Sequence, residues 1–203
     1  MKNQLLKIGI ILSVLSGTVM VMAPQNACAQ RSSEEIKQLL EDRDNEIKDL
    51  VGPKGTEYTQ EQRDKLKDII NGIVDYRAMA QFALQQTYDT LSTEQRKEFV
   101  DLFSTIIRDQ SLNKLDIYRA EVKYESISVN EDSAVVNTLA QLEKVRTPVT
   151  YHMHYEEENE GWVVTDIIID DVSTAGSYRR QFQSIINKRG YDSLVETLRK
   201  RVS

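Results

Sequence analysis

The chain has 203 residues, with 26 Lys and Arg against 32 Asp and Glu and a formal net charge of −6. A field of that sign repels nucleic acid and anionic membrane surfaces, both of which are bound through an excess of Lys and Arg. Three prolines and eight glycines are too few for a disordered or collagen-like chain, and the length suits one domain with a sizeable core.

In chain order, the first element is a leader. Met1-Lys2 and Lys7 are followed by an uncharged run from Ile8 to Ala23, and the stretch closes with Ala27-Cys28-Ala29. A basic start, an apolar middle and a small-x-small site read as a secretory signal peptide over residues 1–29. A retained membrane anchor is the competing reading, but Ser13, Ser16, Gly17 and Thr18 interrupt the run, which is short for a span. Lipidation at Cys28 is a third, although Gln25-Asn26-Ala27 lacks the leucine such sites usually carry. Cleavage after Ala29 removes Lys2, Lys7 and the sole cysteine. It leaves a chain from Gln30 whose formal charge falls from −6 to −8 and which has neither a disulfide nor a thiol nucleophile.

Residues 30–203 read as a single α+β domain, with a helical part at about 32–119, a sheet at about 121–170 and closing helices at about 173–201. Ser32 with Glu35 forms a capping box, followed at helical spacing by Ile36, Leu39, Leu40, Ile47, Leu50 and Val51. Gly52-Pro53-Lys54-Gly55 stops that helix. Thr59 with Gln62 caps a second, carrying Leu66, Ile69, Ile70, Ile73 and Val74. The pattern predicts a third helix from Asp75 to Thr90, with Tyr76, Met79, Ala80 and Ala83 on one face. Ser92 with Gln95 starts a longer fourth, whose stripe is Phe99, Phe103, Ile106, Gln110 and Ile117.

Near Glu121 the period changes to 2. Lys123 to Val129 and Ser133 to Leu142 pair around Asn130-Glu131-Asp132, and in the second strand Ala134, Val136, Thr138 and Ala140 share a face. Pro148 opens a strand in which Val149, Tyr151, Met153 and Tyr155 alternate with Thr150, His152 and His154. Trp162 to Ile169 is nearly continuously apolar, as in a strand covered on both faces. Ser173 caps a last long helix carrying Tyr178, Phe182, Ile185 and Ile186, which Gly190 ends, and Asp192 starts a tail helix with Leu194 and Leu198. The expected fold is therefore a curved antiparallel sheet of about four strands with helices packed on one face.

Candidate chemistry is sparse. His152 and His154 share a strand face and could begin a metal site, but neither Glu143 nor Glu156 stands at a motif spacing to complete one, and a solvated face is the simpler reading. Asp166 sits within an apolar strand, where a buried carboxylate suits a general base. A structural acid paired with Arg179, Arg180 or a loop amide is the preferred reading. Nothing resembles a nucleophile elbow, a phosphate loop or a metalloprotease helix, so the expected catalytic set, metal set and cofactor are none. Arg77, beside an aromatic on a largely apolar helix, reads from spacing alone as a snorkelling surface arginine.

Several motifs in order resemble one family. Asp75-Tyr76-Arg77-Ala78-Met79-Ala80, followed by Ala83-Leu84, resembles the FDYRxMAxxALG signature of the MlaC / toluene-tolerance family of periplasmic phospholipid-binding proteins. The likeness continues through Ser92-Thr93-Glu94-Gln95 to Phe99 and Phe103, and through Ala134, Val136 and Thr138. Gly161-Trp162-Val163-Val164-Thr165-Asp166 is similar to the family's gWkvyD. Val172-Ser173, Tyr178-Arg179 and Gln181-Phe182 are similar to its GVSxxxxYRxQF, and Gly190-Tyr191-Asp192-Ser193-Leu194 to its GxdxL. Four positions depart: Val74 replaces Phe, Gln85 replaces Gly, Tyr88 stands for Trp, and Asp171 replaces the Gly before Val-Ser.

The resemblance implies a cone-shaped sheet related to nuclear-transport-factor-like folds, with an added helical part and a cavity for acyl chains. It implies a periplasmic phospholipid carrier that shuttles lipid between an outer-membrane lipoprotein complex and an inner-membrane MCE-type ring served by an ABC transporter, without stable membrane insertion. A hopanoid or sterol carrier is one alternative. A small-molecule isomerase or hydratase, with Asp166 as base and Tyr151 as hydrogen-bond donor, is another. For a carrier, the lipid-binding expectation is specific: Ala134, Thr138 and Ala140 leave room, and Val136, Val149, Tyr151, Met153 and Val164 line the sheet wall. Met79, Ala83, Phe99, Phe103 and Ile106 close the cavity from the helices, and Val172 sits at the rim.

Overall fold

The computed structural model describes residues 32–112, 115–158 and 160–202; the expected leader over residues 1–29 lies outside them. The helical part runs α1 (Ser33–Val51), α2 (Gln60–Asn71), α3 (Tyr76–Leu84), α4 (Gln86–Thr90) and α5 (Thr93–Leu112), then a short 3-10 segment (Leu115–Arg119). Five strands follow, β1 (Glu121–Asn130), β2 (Ser133–Leu142), β3 (Val145–Glu156), β4 (Gly161–Ile169) and β5 (Val172–Ser173), and the chain closes with α6 (Thr174–Arg189) and α7 (Tyr191–Val202). The sheet is an open, curved antiparallel meander in the order β1-β2-β3-β4-β5.

Side-chain caps fix most helix starts. Ser32 Oγ accepts the Glu35 amide, and both arms of the capping box are made at Thr59/Gln62 and at Ser92/Gln95. Gly52 ends α1 at φ 57 and Gly190 ends α6 at φ 83, conformations that cost a side-chain-bearing residue more than glycine. Arg119 then ties the α1–α2 connection down. It donates to the carbonyls of Gly52 (2.8 Å), Val51 (3.2 Å) and Pro53 (3.2 Å) and to the Tyr58 hydroxyl (2.8 Å).

Three expectations need correcting. The single helix expected from Asp75 to Thr90 is two, because Gln85 adopts φ 53, ψ −136 between α3 and α4. This is the position where the resembling family carries Gly, and a Cβ makes that backbone region unfavourable. Ile117 belongs to the 3-10 segment and not to the α5 stripe, since α5 ends at Leu112. β4 is not covered on both faces: Trp162 and Val164 are buried, but most of the rest is only half-buried and Ile169 is exposed. The other family glycine that this chain replaces, at Asp171, also sits at positive φ (61°), next to Asp170 (49°) in the two-residue turn joining β4 to β5.

Two register shifts decide which side chains face the helices. On β1 the pairing steps from Tyr124↔Thr138 to Ser126↔Asn137, so Glu125 is an extra residue. On β4 it steps from Val164↔Met153 to Asp166↔His152, so Thr165 is the extra residue. Each bulge reverses the in/out alternation beyond it. The bulge on β4 turns Asp166 to the face of the exposed His152 and brings Ile167 and Ile169 onto the face of Tyr151 and Val149.

The interior is divided. One cluster lies among helices, where Phe99 and Phe103 of α5 meet Tyr178 and Phe182 of α6, with centroids 4.9 Å apart for Phe103–Tyr178 and 5.6 Å for Phe99–Phe182. A second joins α1 to the sheet through Ile36, Leu40, Ala134, Val136, Met153, Trp162 and Val164. A third packs Ile47 and Val51 of α1 on Leu66 of α2. The hollow between these clusters is the site.

Candidate functional site

A cavity of about 200 Å³ lies between the inner face of the sheet and the helical layer. Its sheet wall is Val122 and Tyr124 of β1, Ala140 of β2, Val149 and Tyr151 of β3, and Val164, Ile167 and Ile169 of β4. Opposite them, α1 contributes Leu40, Arg43, Asp44 and Ile47, which stand at i, i+3, i+4 and i+7 and so form one stripe. Ile69, Ile70 and Asn71 come from α2, Ile73 and Val74 from the link to α3, and Met79, Ile107 and Thr174 from α3, α5 and α6. Ile117 and Tyr118 of the 3-10 segment complete the wall. The volume is smaller than the several hundred Å³ common for ligand pockets. Branched side chains of α1 and α2 sit directly over the sheet and take up part of the space.

The α2–α3 link is held against β4 by backbone bonds, from Val164 N–H to Ile73 C=O (2.6 Å) and from Asp75 N–H to Val164 C=O (2.9 Å). The Asp75 carboxylate caps α3 by accepting the Ala78 amide at 2.8 Å. The Tyr76 hydroxyl donates to Asn71 Oδ1 (2.7 Å), whose amide in turn donates to Ser111 Oγ (3.2 Å) and to the Lys67 carbonyl (2.7 Å). The Asp-Tyr-Arg run is thus a structural joint for α2, α3, α5 and β4 that sets Met79 in the wall, and its Arg77 is exposed to solvent.

Charge is confined to one stretch of the wall. Arg43 pairs with Glu46 at 3.4 Å and Asp44 with Lys48 at 2.6 Å, all four part-exposed. Elsewhere the polarity comes from Asn71, Thr174 and the tyrosine hydroxyls. Burial pushes the Tyr151 hydroxyl up to about 12, and the nearby Asp44 charge adds to the rise. Burial also raises Tyr118 and Tyr124 above the ordinary tyrosine value; the ionisable hydroxyl of Tyr151 contributes to both, and the Asp44 and Glu41 charges to Tyr124. All three stay neutral hydrogen-bond donors at ordinary pH.

Of the residues singled out in the sequence, the cavity brings together Met79, Val149, Tyr151 and Val164, with Ala140 beside them. It does not gather the rest. Ala83, Phe99, Phe103 and Ile106 belong to the helical core, packed against Tyr178 and Phe182 instead of facing the hollow. Ala134, Val136 and Met153 lie on the expected sheet face, but at the end covered by Ile36 and Leu40, so the room left by Ala134 is occupied by α1. Thr138 is buried and donates to the Val149 carbonyl at 2.9 Å. Val172, expected at the rim, is 56 % exposed in β5 and outside the wall.

Wall residues that periodicity did not single out include Arg43 and Asp44 of the α1 stripe, Asn71, Ile107, Tyr118, Val122, Tyr124, Ile167, Ile169 and Thr174. The 40/43/44/47 spacing is readable, but its two charges disguise it as a solvated face. Ile167 and Ile169 are hidden by the β4 bulge.

Asp166 is a structural acid. Its oxygens accept the Ala175 amide (2.9 Å) and the Ser173 hydroxyl (2.5 Å), locking the start of α6 to β4, while Arg179 stacks on Phe82 with its guanidinium 4.6 Å from the ring centroid. It lies outside the cavity wall, so the reading of Asp166 as a base acting with Tyr151 is withdrawn. His152 and His154 are exposed, and among the described residues no group of three His, Cys, Asp or Glu is arranged to hold a metal. No described helix is long and apolar enough to cross a membrane.

Comparison with known proteins places this geometry. The family model described as "MlaC protein" matches residues 32–200. Among solved structures, the chain is similar to a phospholipid-binding protein from Ralstonia solanacearum solved in complex with a phospholipid. The TM-score is 0.69 at 22 % identity, covering 83 % of this chain and 95 % of the other. Comparison with curated proteins gives no significant match.

Proposed function

The chain belongs to the MlaC family, and from that premise we propose that it is a phospholipid carrier whose cavity takes acyl chains while the head group stays in water. The observation that supports this most directly is an apolar hollow between sheet and helices that the protein's own side chains leave unfilled. Exposing lipid tails costs about 0.8 kcal/mol per methylene, so roughly thirty methylenes amount to on the order of 24 kcal/mol. No single hydrogen bond offsets that; an apolar enclosure does.

The cover over the sheet is the α1–α2 hairpin, joined to the rest through Arg119 and the Lys67–Asp109 and Arg108–Asp68 ion pairs. On this reading it moves outward as chains enter, enlarging the 200 Å³ hollow. The carrier works in the periplasm after removal of the leader, between an outer-membrane lipoprotein complex and an inner-membrane ring served by an ABC transporter. Its acidic surface favours docking to proteins over adsorption to anionic bilayers. It carries out no chemistry on its cargo.

Native mass spectrometry and lipid extraction of the purified chain test the proposal. Phospholipid is expected to co-purify at one per chain; protein that is empty and takes up none from vesicles sinks it.

A further inference from the structure

Three hydroxyls in the cavity wall are unused. Tyr118, Tyr124 and Tyr151 come from the 3-10 segment, β1 and β3, and their side chains line the same hollow. Among the described residues none of the three donates to or accepts from a protein group, and none is sealed away from accessible space. Other tyrosines behave differently: Tyr58, Tyr76, Tyr178 and Tyr191 each donate to a protein oxygen. A hydroxyl facing an apolar hollow finds a partner there only in water or a ligand, so three of them lining one such hollow are poorly explained by packing alone.

Their position is informative as well. Both Tyr124 and Tyr151 feel the charge of Asp44, which stands with Arg43 at the part-exposed charged stretch of the wall. The wall also includes the apolar side chains of Ile107, Val149, Val164 and Ile167. The hollow therefore combines a charged stretch, hydroxyl donors and apolar walls. An acyl lipid combines the matching parts: head group, ester linkage, hydrocarbon.

We propose that Tyr118, Tyr124 and Tyr151 bind the ester linkage of an acyl lipid by donating hydrogen bonds to its carbonyl oxygens, which makes the cavity selective for ester-linked chains. This rests on the lipid-carrier reading and names the class of lipid. A hydrocarbon without carbonyl acceptors, such as a hopanoid, leaves all three hydroxyls unpaired and is disfavoured. Neutral phenols suit the task, since a donor is needed and burial opposes ionisation.

The test compares a diacyl phosphatidylglycerol with its dialkyl ether analogue of equal chain length, which lacks only the two carbonyls. Affinities are measured by displacement of a fluorescent long-chain probe from the delipidated protein and from the Tyr118→Phe/Tyr124→Phe/Tyr151→Phe variant. Wild-type protein is expected to prefer the ester by about tenfold or more, and the variant to lose that preference while keeping its affinity for the ether, at roughly two- to tenfold per hydroxyl. The empty variant is expected to melt no lower than wild type, because the lost hydroxyls had no partners. Should the triple variant fail to fold, the three single Phe variants are read in the same way. An ester-to-ether ratio unchanged by the substitutions overturns the inference, as does a wild type that binds both lipids equally. A wild type that binds neither removes the carrier reading itself.

Discussion

Ala140 offers a direct test of whether the hollow is the cargo site. It is a small residue in the cavity wall, on β2 between Val122 and Thr147 in register. Ala140→Leu adds three carbons to the wall and displaces about three methylenes of a bound chain. At about 0.8 kcal/mol each the loss is roughly 2.4 kcal/mol, or about 60-fold in lipid affinity. The same substitution fills a void in the empty protein, so its stability is expected to hold or to rise by up to about 1 kcal/mol, worth about 2–4 °C in melting temperature at this size. The two effects have opposite signs, which separates site occupancy from damage to the fold. Lipid load is read by extraction and mass spectrometry, and stability by calorimetry on delipidated protein. Ala134→Leu serves as the control: that position is packed under Ile36 and Leu40, and overpacking there is expected to lower stability by about 1–3 kcal/mol. Undiminished lipid affinity in an Ala140→Leu protein of normal stability would refute the cavity as the binding site.

Gln85→Gly relieves the side chain at φ 53, ψ −136 and is expected to stabilise the protein by about 1 kcal/mol, read as a rise in melting temperature. Val136→Glu buries a charge at a fully buried position and is expected to cost more than about 4 kcal/mol, giving little soluble protein. Val172→Glu, on an exposed residue away from the cavity, is expected to leave lipid load unchanged. Arg119→Ala removes the bonds that hold the end of α1 and is expected to cost about 2–3 kcal/mol, with faster amide exchange in the last turns of α1. The tyrosines set an alkaline limit. Their folded-state pKa values lie above the unfolded value of 10.0, so the unfolded chain gives up protons first. The stability they contribute is complete below pH 10 and declines as pH rises toward and beyond 12. Urea titrations across that range should fall less steeply for the Tyr→Phe variants.

Much of the architecture was legible because it is locally encoded. The Thr59/Gln62 and Ser92/Gln95 boxes fix two helix starts, Gly52 and Gly190 fix two ends, and the alternation from Ser133 to Leu142 matches β2 residue for residue. Each depends on hydrogen bonds or side-chain directions within a few residues, which neighbours in sequence already determine. The motif likeness carried the family in the same way, since it is a property of order and spacing.

The cavity wall was decided elsewhere. Helical spacing identifies Phe99, Phe103 and Ile106 as apolar, but not whether they meet a hollow or α6; the packing of α6 onto α5 made them core. Simple alternation along β4 puts Asp166 on the face of Trp162 and Val164, and one extra residue at Thr165 puts it on the other. A bulge inserts a residue at a place set by cross-strand pairing and sheet curvature, so its effect on every side chain beyond it is invisible until the strands are paired. Likewise the charges at 43 and 44 read as solvent-facing until α1 is laid across the sheet. The sequence by itself determined the elements, their order and the family. Which of its apolar side chains touch one another, and which surround empty space, depended on contacts between residues far apart in the chain, and only the tertiary structure fixes those.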